Sequence, residues 1–127
     1  MKRAILYLWA IPNTLLGLLP APIVWMQGGH ICAVDGVIEI SGGAATWLLK
    51  RFPVSPSAMT LGHVVWGRDT LQLERTRAHE RVHVRQYERW GPFFIPAYLG
   101  ASLYLKIRGC DAYYDNPFER EAYRIAP

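Results

Sequence analysis

The run from Thr70 to Trp90, TLQLERTRAHERVHVRQYERW, constrains what this chain can fold into more than any other part of it. It contains no Gly or Pro. It follows a Gly67-Arg68-Asp69 turn in which Asp69 or Thr70 can cap a helix, and Gly91-Pro92 stops it. The spacing predicts one long helix over Thr70–Trp90. At about 100° per residue, Gln72, His79, His83 and Trp90 share one side, whereas Glu74, Arg77, Arg81, Arg85 and Glu88 gather at roughly 160° to 240° from His79. The histidines are therefore expected to face the protein and the arginines to face solvent.

That helix carries His79-Glu80-Arg81-Val82-His83, an H-E-x-x-H motif. Two histidines four residues apart lie about one turn apart on one helix face, so their imidazoles can converge on one metal ion. Zinc suits such a pair because it accepts nitrogen ligands in tetrahedral geometry. Glu80 cannot easily reach the same ion as a ligand, but it can reach a water beside it and act as general base. A catalytic ion needs a third protein ligand and an open fourth position. Asp111, Asp115, Glu119 and Glu121 are the downstream candidates. The alternative is a partly buried histidine pair satisfied by hydrogen bonds alone.

The chain has 127 residues, enough for one domain with one core. Hydrophobic residues make up 51% and charged residues 19%, which excludes a disordered chain. Two apolar stretches hold the excess. Ala4 to Trp25 follows Lys2-Arg3, carries no charge and is long enough, at about 20 residues, to cross a bilayer. Pro12, Pro20 and Pro22 interrupt it. Residues 1–28 are read as a membrane anchor or as short apolar helices packed on a domain formed by 29–127. Pro92 to Ile107 has no charge before Lys106 and suits a buried helix or a shallow membrane insertion. Membrane association is expected on these grounds, with the side of the membrane left open.

Between Ile31–Val34 and Val37–Ile40, Asp35-Gly36 predicts a hairpin turn. Ala44 to Phe52 reads as a short helix ended by Pro53, Thr60 to Trp66 as a third strand, and Asn116-Pro117 as the start of a last helix. The expected fold class is α+β: a short antiparallel sheet, the long helix and two further helices, after the apolar N-terminal segment. A net charge of +4 does not indicate nucleic-acid binding, because Glu74, Glu80 and Glu88 interleave with the basic residues and no nucleic-acid motif accompanies them. Cys32 and Cys110 lack C-x-x-C spacing and are read as two small buried thiols, with pairing in an oxidising compartment as the alternative.

Asn116 to Tyr123 reads NPFEREAY. Taken with H-E-x-x-H, the EREAY portion resembles the second motif, E-x-[EQ]-A-[DN], of the gluzincin metallopeptidases. These include the membrane-embedded prenyl-protein and heat-shock types and the small minigluzincins. The match rests on Glu119, Glu121 and Ala122, and by arrangement the likeness runs from about Thr60 to Ala126. The resemblance implies a zincin-like domain, zinc as cofactor, Glu119 as third ligand beside His79 and His83, and Glu80 as catalytic base. It also implies a peptide substrate that adds as a strand to the edge strand before the active helix, here Thr60 to Trp66. On the residues alone, Glu119 is also the N3 position of a capping box headed by Asn116. Glu121 is the fallback ligand, some 200° away on the helix, so both cannot hold one ion.

Two features depart from the family pattern. Tyr123 stands where the family has Asp or Asn, and Arg77, Arg81 and Arg85 occupy positions where uncharged residues are preferred. His63 on the expected edge strand is assigned no role. Tyr113 and Tyr114 are candidates to donate a hydrogen bond to an oxyanion, or to pack as turn aromatics. The function expected is a small zinc metallopeptidase acting on a peptide or protein substrate. The alternatives are a non-catalytic, membrane-associated zinc-binding module on the same fold, and a metal-free structural domain.

Overall fold

The computed structural model describes residues 2–52 and 56–126. Three short helices open the chain: α1 (Lys2–Trp9), α2 (Ile11–Leu18) and α3 (Ala21–Met26). Pro12 and Pro22 occupy the first turns of α2 and α3, where a missing N–H breaks no helical bond. The prolines thus divide the apolar stretch into short helices. β1 (His30–Val34) and β2 (Val37–Ser41) form the expected hairpin, with Asp35 and Gly36 both at positive φ, 50° and 80°, as a tight two-residue turn requires. α4 (Gly43–Arg51) follows, while Pro53, expected to end it, lies outside the described residues.

Next come β3 (Ala58–Leu61), β4 (Val64–Gly67), α5 (Thr70–Trp90), a 3₁₀ turn (Gly91–Phe93), α6 (Phe94–Ile107) and α7 (Pro117–Ile125). The bounds of α5 are those predicted. The Asp69 carboxylate accepts the Gln72 N–H at 2.8 Å, which satisfies a free donor of the first turn.

The strands are ordered β1-β2-β4-β3. The single strand expected over Thr60–Trp66 is two strands, because the chain reverses at Gly62, whose φ of 62° suits glycine, and β3 pairs antiparallel with β4. The sheet expected to be antiparallel is mixed. β4 lies parallel to β2, with Ile38 opposite Val64 and Ser41 opposite Gly67. α4 and β3 intervene in the chain and supply the crossover that a parallel pair needs. The architecture is mixed, a four-stranded sheet with helices, consistent with α+β.

Side chains alternate across this sheet. Ile40, Val64 and Trp66 pack with Val24 of α3 and with Ala45 and Leu49 of α4 on one face. Val37, Ala58 and Val65 pack with Leu73 and Val84 of α5 on the other. The second face also corrects the expectation for the arginines. Arg77 and Arg81 do not simply face solvent; they reach the buried Glu39 of β2, with N–O distances of 3.0 and 2.8 Å from Arg77 and 3.2 Å from Arg81. α5 has the sheet on one side and α7 on another, so its charged face is partly covered.

The N-terminal helices join the domain core. Ala10 and Val24 are fully buried, and the Trp66 indole N–H donates to the Gly17 carbonyl at 2.7 Å. A side chain at Gly17 would run into Val64 and Leu61. Among the described residues, no helix is long and apolar enough to cross a membrane. Cys32 and Cys110, expected to be buried, are exposed free thiols, since β1 is an edge strand with little cover and Cys110 lies in the loop after α6.

Candidate metal centre

The site is built where α7 runs back along α5. Phe118 meets Trp90 near the end of α5, and the Ala126 carbonyl meets His79 nearer its middle. This antiparallel packing brings Glu119 opposite the two histidines. Glu119 Oε1 lies 3.0 Å from His83 Nε2 and 3.4 Å from His79 Nε2, and Oε2 accepts a hydrogen bond from the Tyr98 hydroxyl at 2.7 Å. Nitrogen and oxygen ligands about 2.0–2.1 Å from a tetrahedral ion stand roughly 3.3–3.4 Å apart; the His79–Glu119 distance has that spacing and the His83–Glu119 distance is a little shorter.

Glu80 is close by. Its Oε2 is 4.0 Å from His79 Nε2, and its Oε1 accepts from the Thr60 hydroxyl at 2.9 Å. His79, Glu80 and His83 present donor atoms within 4.8 Å of one another, and this buried group could hold a metal ion. Of the two carboxylates, Glu119 has the shorter distances to both imidazoles.

Each imidazole is also held from behind. His79 Nδ1 meets the Ala126 carbonyl at 3.1 Å, and His83 Nδ1 meets Gln86 Oε1 at 2.8 Å. The Gln86 amide nitrogen donates to the Phe118 carbonyl and to Glu121, which leaves its oxygen as the acceptor for His83. Both histidines therefore carry a proton on Nδ1, and both Nε2 atoms face Glu119.

The charges reinforce one another. Burial works against the His83 imidazolium, yet the hydrogen bond and charge of Glu119 outweigh it and lift the group to about 9. His79 is raised for a similar reason: burial opposes it, and Glu119 and Glu80 prevail. Burial would raise the Glu119 carboxyl, but its bonds from His79 and His83 carry it down to about 2. Burial dominates at Glu80, which is pushed above the usual carboxylate range despite the two imidazoles.

The other acidic candidates do different work. Glu121 points away from the imidazoles to Gln86 and Arg89. The Asp111 carboxylate accepts the Tyr113 and Tyr114 N–H groups, and Asp115 accepts the Asp111 N–H, so both stabilise the loop before α7. Asn116 caps α7 through the Phe118 N–H, while the Glu119 carboxylate is engaged by His79, His83 and Tyr98. Tyr123 packs its ring 4.4 Å from that of His79. His63, given no role from sequence, sits in the β3–β4 turn, bonds Glu88 at 2.8 Å and stacks on Tyr7 of α1 at 3.8 Å.

Thr60, Gln86, Tyr98 and the Ala126 carbonyl complete the site and were not singled out as functional. Gln86 did leave a trace, since it falls on the histidine side of the helical wheel.

A cleft of about 270 Å³ opens onto His79 and Glu80; His83 and Glu119 are buried and do not line it. The start of β3 forms one wall, Arg75 and Thr76 of α5 another, and Tyr113, Tyr114 and Tyr123 a third. The two tyrosines named from sequence therefore do line the opening. The chain matches no family model, no curated protein and no solved structure in comparisons with each.

Proposed function

We propose that this chain is a small zinc-dependent metallopeptidase of the gluzincin type, with His79, His83 and Glu119 as zinc ligands and Glu80 as general base. The observation that carries the reading is the convergence of two imidazole Nε2 atoms and Glu119 Oε1 at 3.0–3.4 Å, with the Glu80 carboxylate beside them on the cleft side. The donor set suits zinc, and each ligand has an outer atom held by a further hydrogen bond. When bound, the ion would supply a Lewis acid and lower the pKa of a neighbouring water.

The chain's own residues account for the rest. Glu80 lines the cleft and, with its proton affinity raised by burial, can take a proton from a water and pass it to a leaving amine. Thr60 holds Glu80 from one side. The edge strand β3 supports a peptide substrate. The Ser57 carbonyl accepts from Arg68 on the β4 side, and the Thr60 carbonyl accepts from Tyr87 on the opposite side. Alternation along the strand turns the Ala58 backbone groups outward like those of Thr60, and Ala58 lines the cleft.

The test combines metal analysis with hydrolysis. The full chain is expected to bind about one zinc, as a single three-ligand site implies. Glu80→Gln should retain zinc and lose cleavage of a mixed peptide library, whereas His79→Ala should lose the metal. A protein that takes up no zinc defeats the reading. One that binds zinc and cleaves nothing in the library is the non-catalytic module instead.

A further inference from the structure

Two helices of this protein turn rows of large aliphatic side chains outward. In α2 the inward residues are Asn13, whose amide donates to the Gly91 carbonyl at 2.8 Å, and Gly17, packed on Val64. Its outward residues are Ile11 and Leu15, continued four residues on by the C-cap Leu19, which is 70% exposed. α6 repeats the arrangement. Phe94 is buried, Tyr98 turns inward to Glu119 and Ser102 to the Ala112 carbonyl, while Leu99, Leu103 and Ile107, again four apart, face out with Ile107 75% exposed. A helix at a water boundary normally shows the opposite pattern. Polar groups held inward on both helices, with rows of large aliphatic side chains left facing out, suit an apolar surrounding.

α1 and α2 adjoin the 3₁₀ turn that leads into α6. The rings of Trp9 and Phe93, both exposed, lie 6.0 Å apart, and the Asn13–Gly91 bond ties α2 to the turn that starts α6. Charge completes the pattern. Residues 4–34 and 90–105 contain no Lys, Arg, Asp or Glu, and cations mark the outer ends, Lys2 and Arg3 before them and Lys106 and Arg108 after them. An uncharged apolar face with the exposed cations Lys106 and Arg108 at the end of α6 complements an anionic lipid surface. With 8 residues in α2 and 14 in α6, these helices reach about 12 and 21 Å, short of a hydrocarbon core of about 30 Å.

We propose that the outer faces of α1–α3 and α6 dock this protein onto an anionic membrane, entering one leaflet without crossing it. The inference does not depend on zinc or on hydrolysis. Full-length protein, exchanged from detergent into vesicles of phosphatidylcholine with or without about one third phosphatidylglycerol, is expected to float with the vesicles, more strongly with the anionic ones and less at high salt. The triple variant Leu15→Glu, Leu19→Glu and Leu103→Glu is expected to partition at least about tenfold more weakly, since three exposed leucines leave the apolar phase.

A second measurement needs no triple variant. Brominated lipid should quench tryptophan fluorescence of the unaltered protein, and Trp25→Phe should remove a large share of that quenching, because Trp25 is exposed on the same helices. Wild-type protein that stays in the aqueous fraction overturns the proposal. So does a triple variant that keeps its circular dichroism and floats as well as wild type, or a lipid-independent dimer that covers this face.

Discussion

Gln86 is completely buried, and its amide links Glu121 to the rear nitrogen of His83. It orients a proposed ligand without touching the ion. Gln86→Leu is predicted to weaken zinc binding by about 10–100-fold, as loss of such an outer hydrogen bond typically does, measured by competition with a chelating dye. Unchanged affinity would remove Gln86 from that role. The pKa shifts predict opposite pH trends with and without metal. In metal-free protein, the raised His83 contributes stability below its ordinary value near 6.5, and that contribution is lost as pH rises through about 9. The depressed Glu119 contributes above the ordinary carboxylate range and loses its contribution as pH falls toward about 2. In the proposed site zinc must displace the Nε2 proton of His83 and, where His79 is protonated, that of His79 too, so affinity should climb at least about tenfold per pH unit up to about 9. Zinc titrations at several pH values check this, and a flat profile would contradict it. His79, Glu80 and His83 were legible because four-residue spacing alone decides a helix face. Glu119 needed a second motif to separate it from Glu121. Ala126 left no signal, since it contributes only a carbonyl, which any residue has.

α5 shows what local rules reach and where they stop. Asp69 and Gly91-Pro92 delimit it, and the Asp35-Gly36 turn and the Asn116 cap of α7 follow from equally local chemistry. Asp69→Ala should cost about 1 kcal/mol in urea denaturation by freeing the Gln72 N–H. The pairing of β4 with β2 was not legible, because parallel register is fixed by contacts between distant segments. The helical wheel likewise ranked the faces of α5 but did not say that Arg77 and Arg81 would meet Glu39. That contact is testable too. Glu39→Ala would leave Arg81, 16% exposed at its side chain, without its anion, and should cost about 3 kcal/mol by chemical denaturation. Arg77, 35% exposed, is better screened and adds less. A loss below about 1 kcal/mol would mean that water replaces the carboxylate.

Across the whole molecule, the candidate metal centre lies between α5 and a nine-residue helix that returns from the far end of α6. Zinc bound there ties α7 to the domain, so the melting temperature should rise with zinc concentration and fall back with a chelator. Saturating zinc at 100 times its Kd is worth about 2.7 kcal/mol by mass action. Scanning calorimetry would register it, and a melting temperature indifferent to zinc would speak against a ligand set that spans both helices. The same arrangement separates two kinds of selection. His79, His83 and Glu119 join α5 to α7, so under the proposed function a descendant without hydrolysis would still be under pressure to keep all three for the sake of its fold. The Glu80 side chain accepts from Thr60 on β3 and lies 4.0 Å from His79, and among the described residues it makes no hydrogen bond to α7. Among variants of this chain, it is therefore drift at position 80, with the other three retained, that would mark a lineage in which the chemistry had lapsed and the scaffold had been kept.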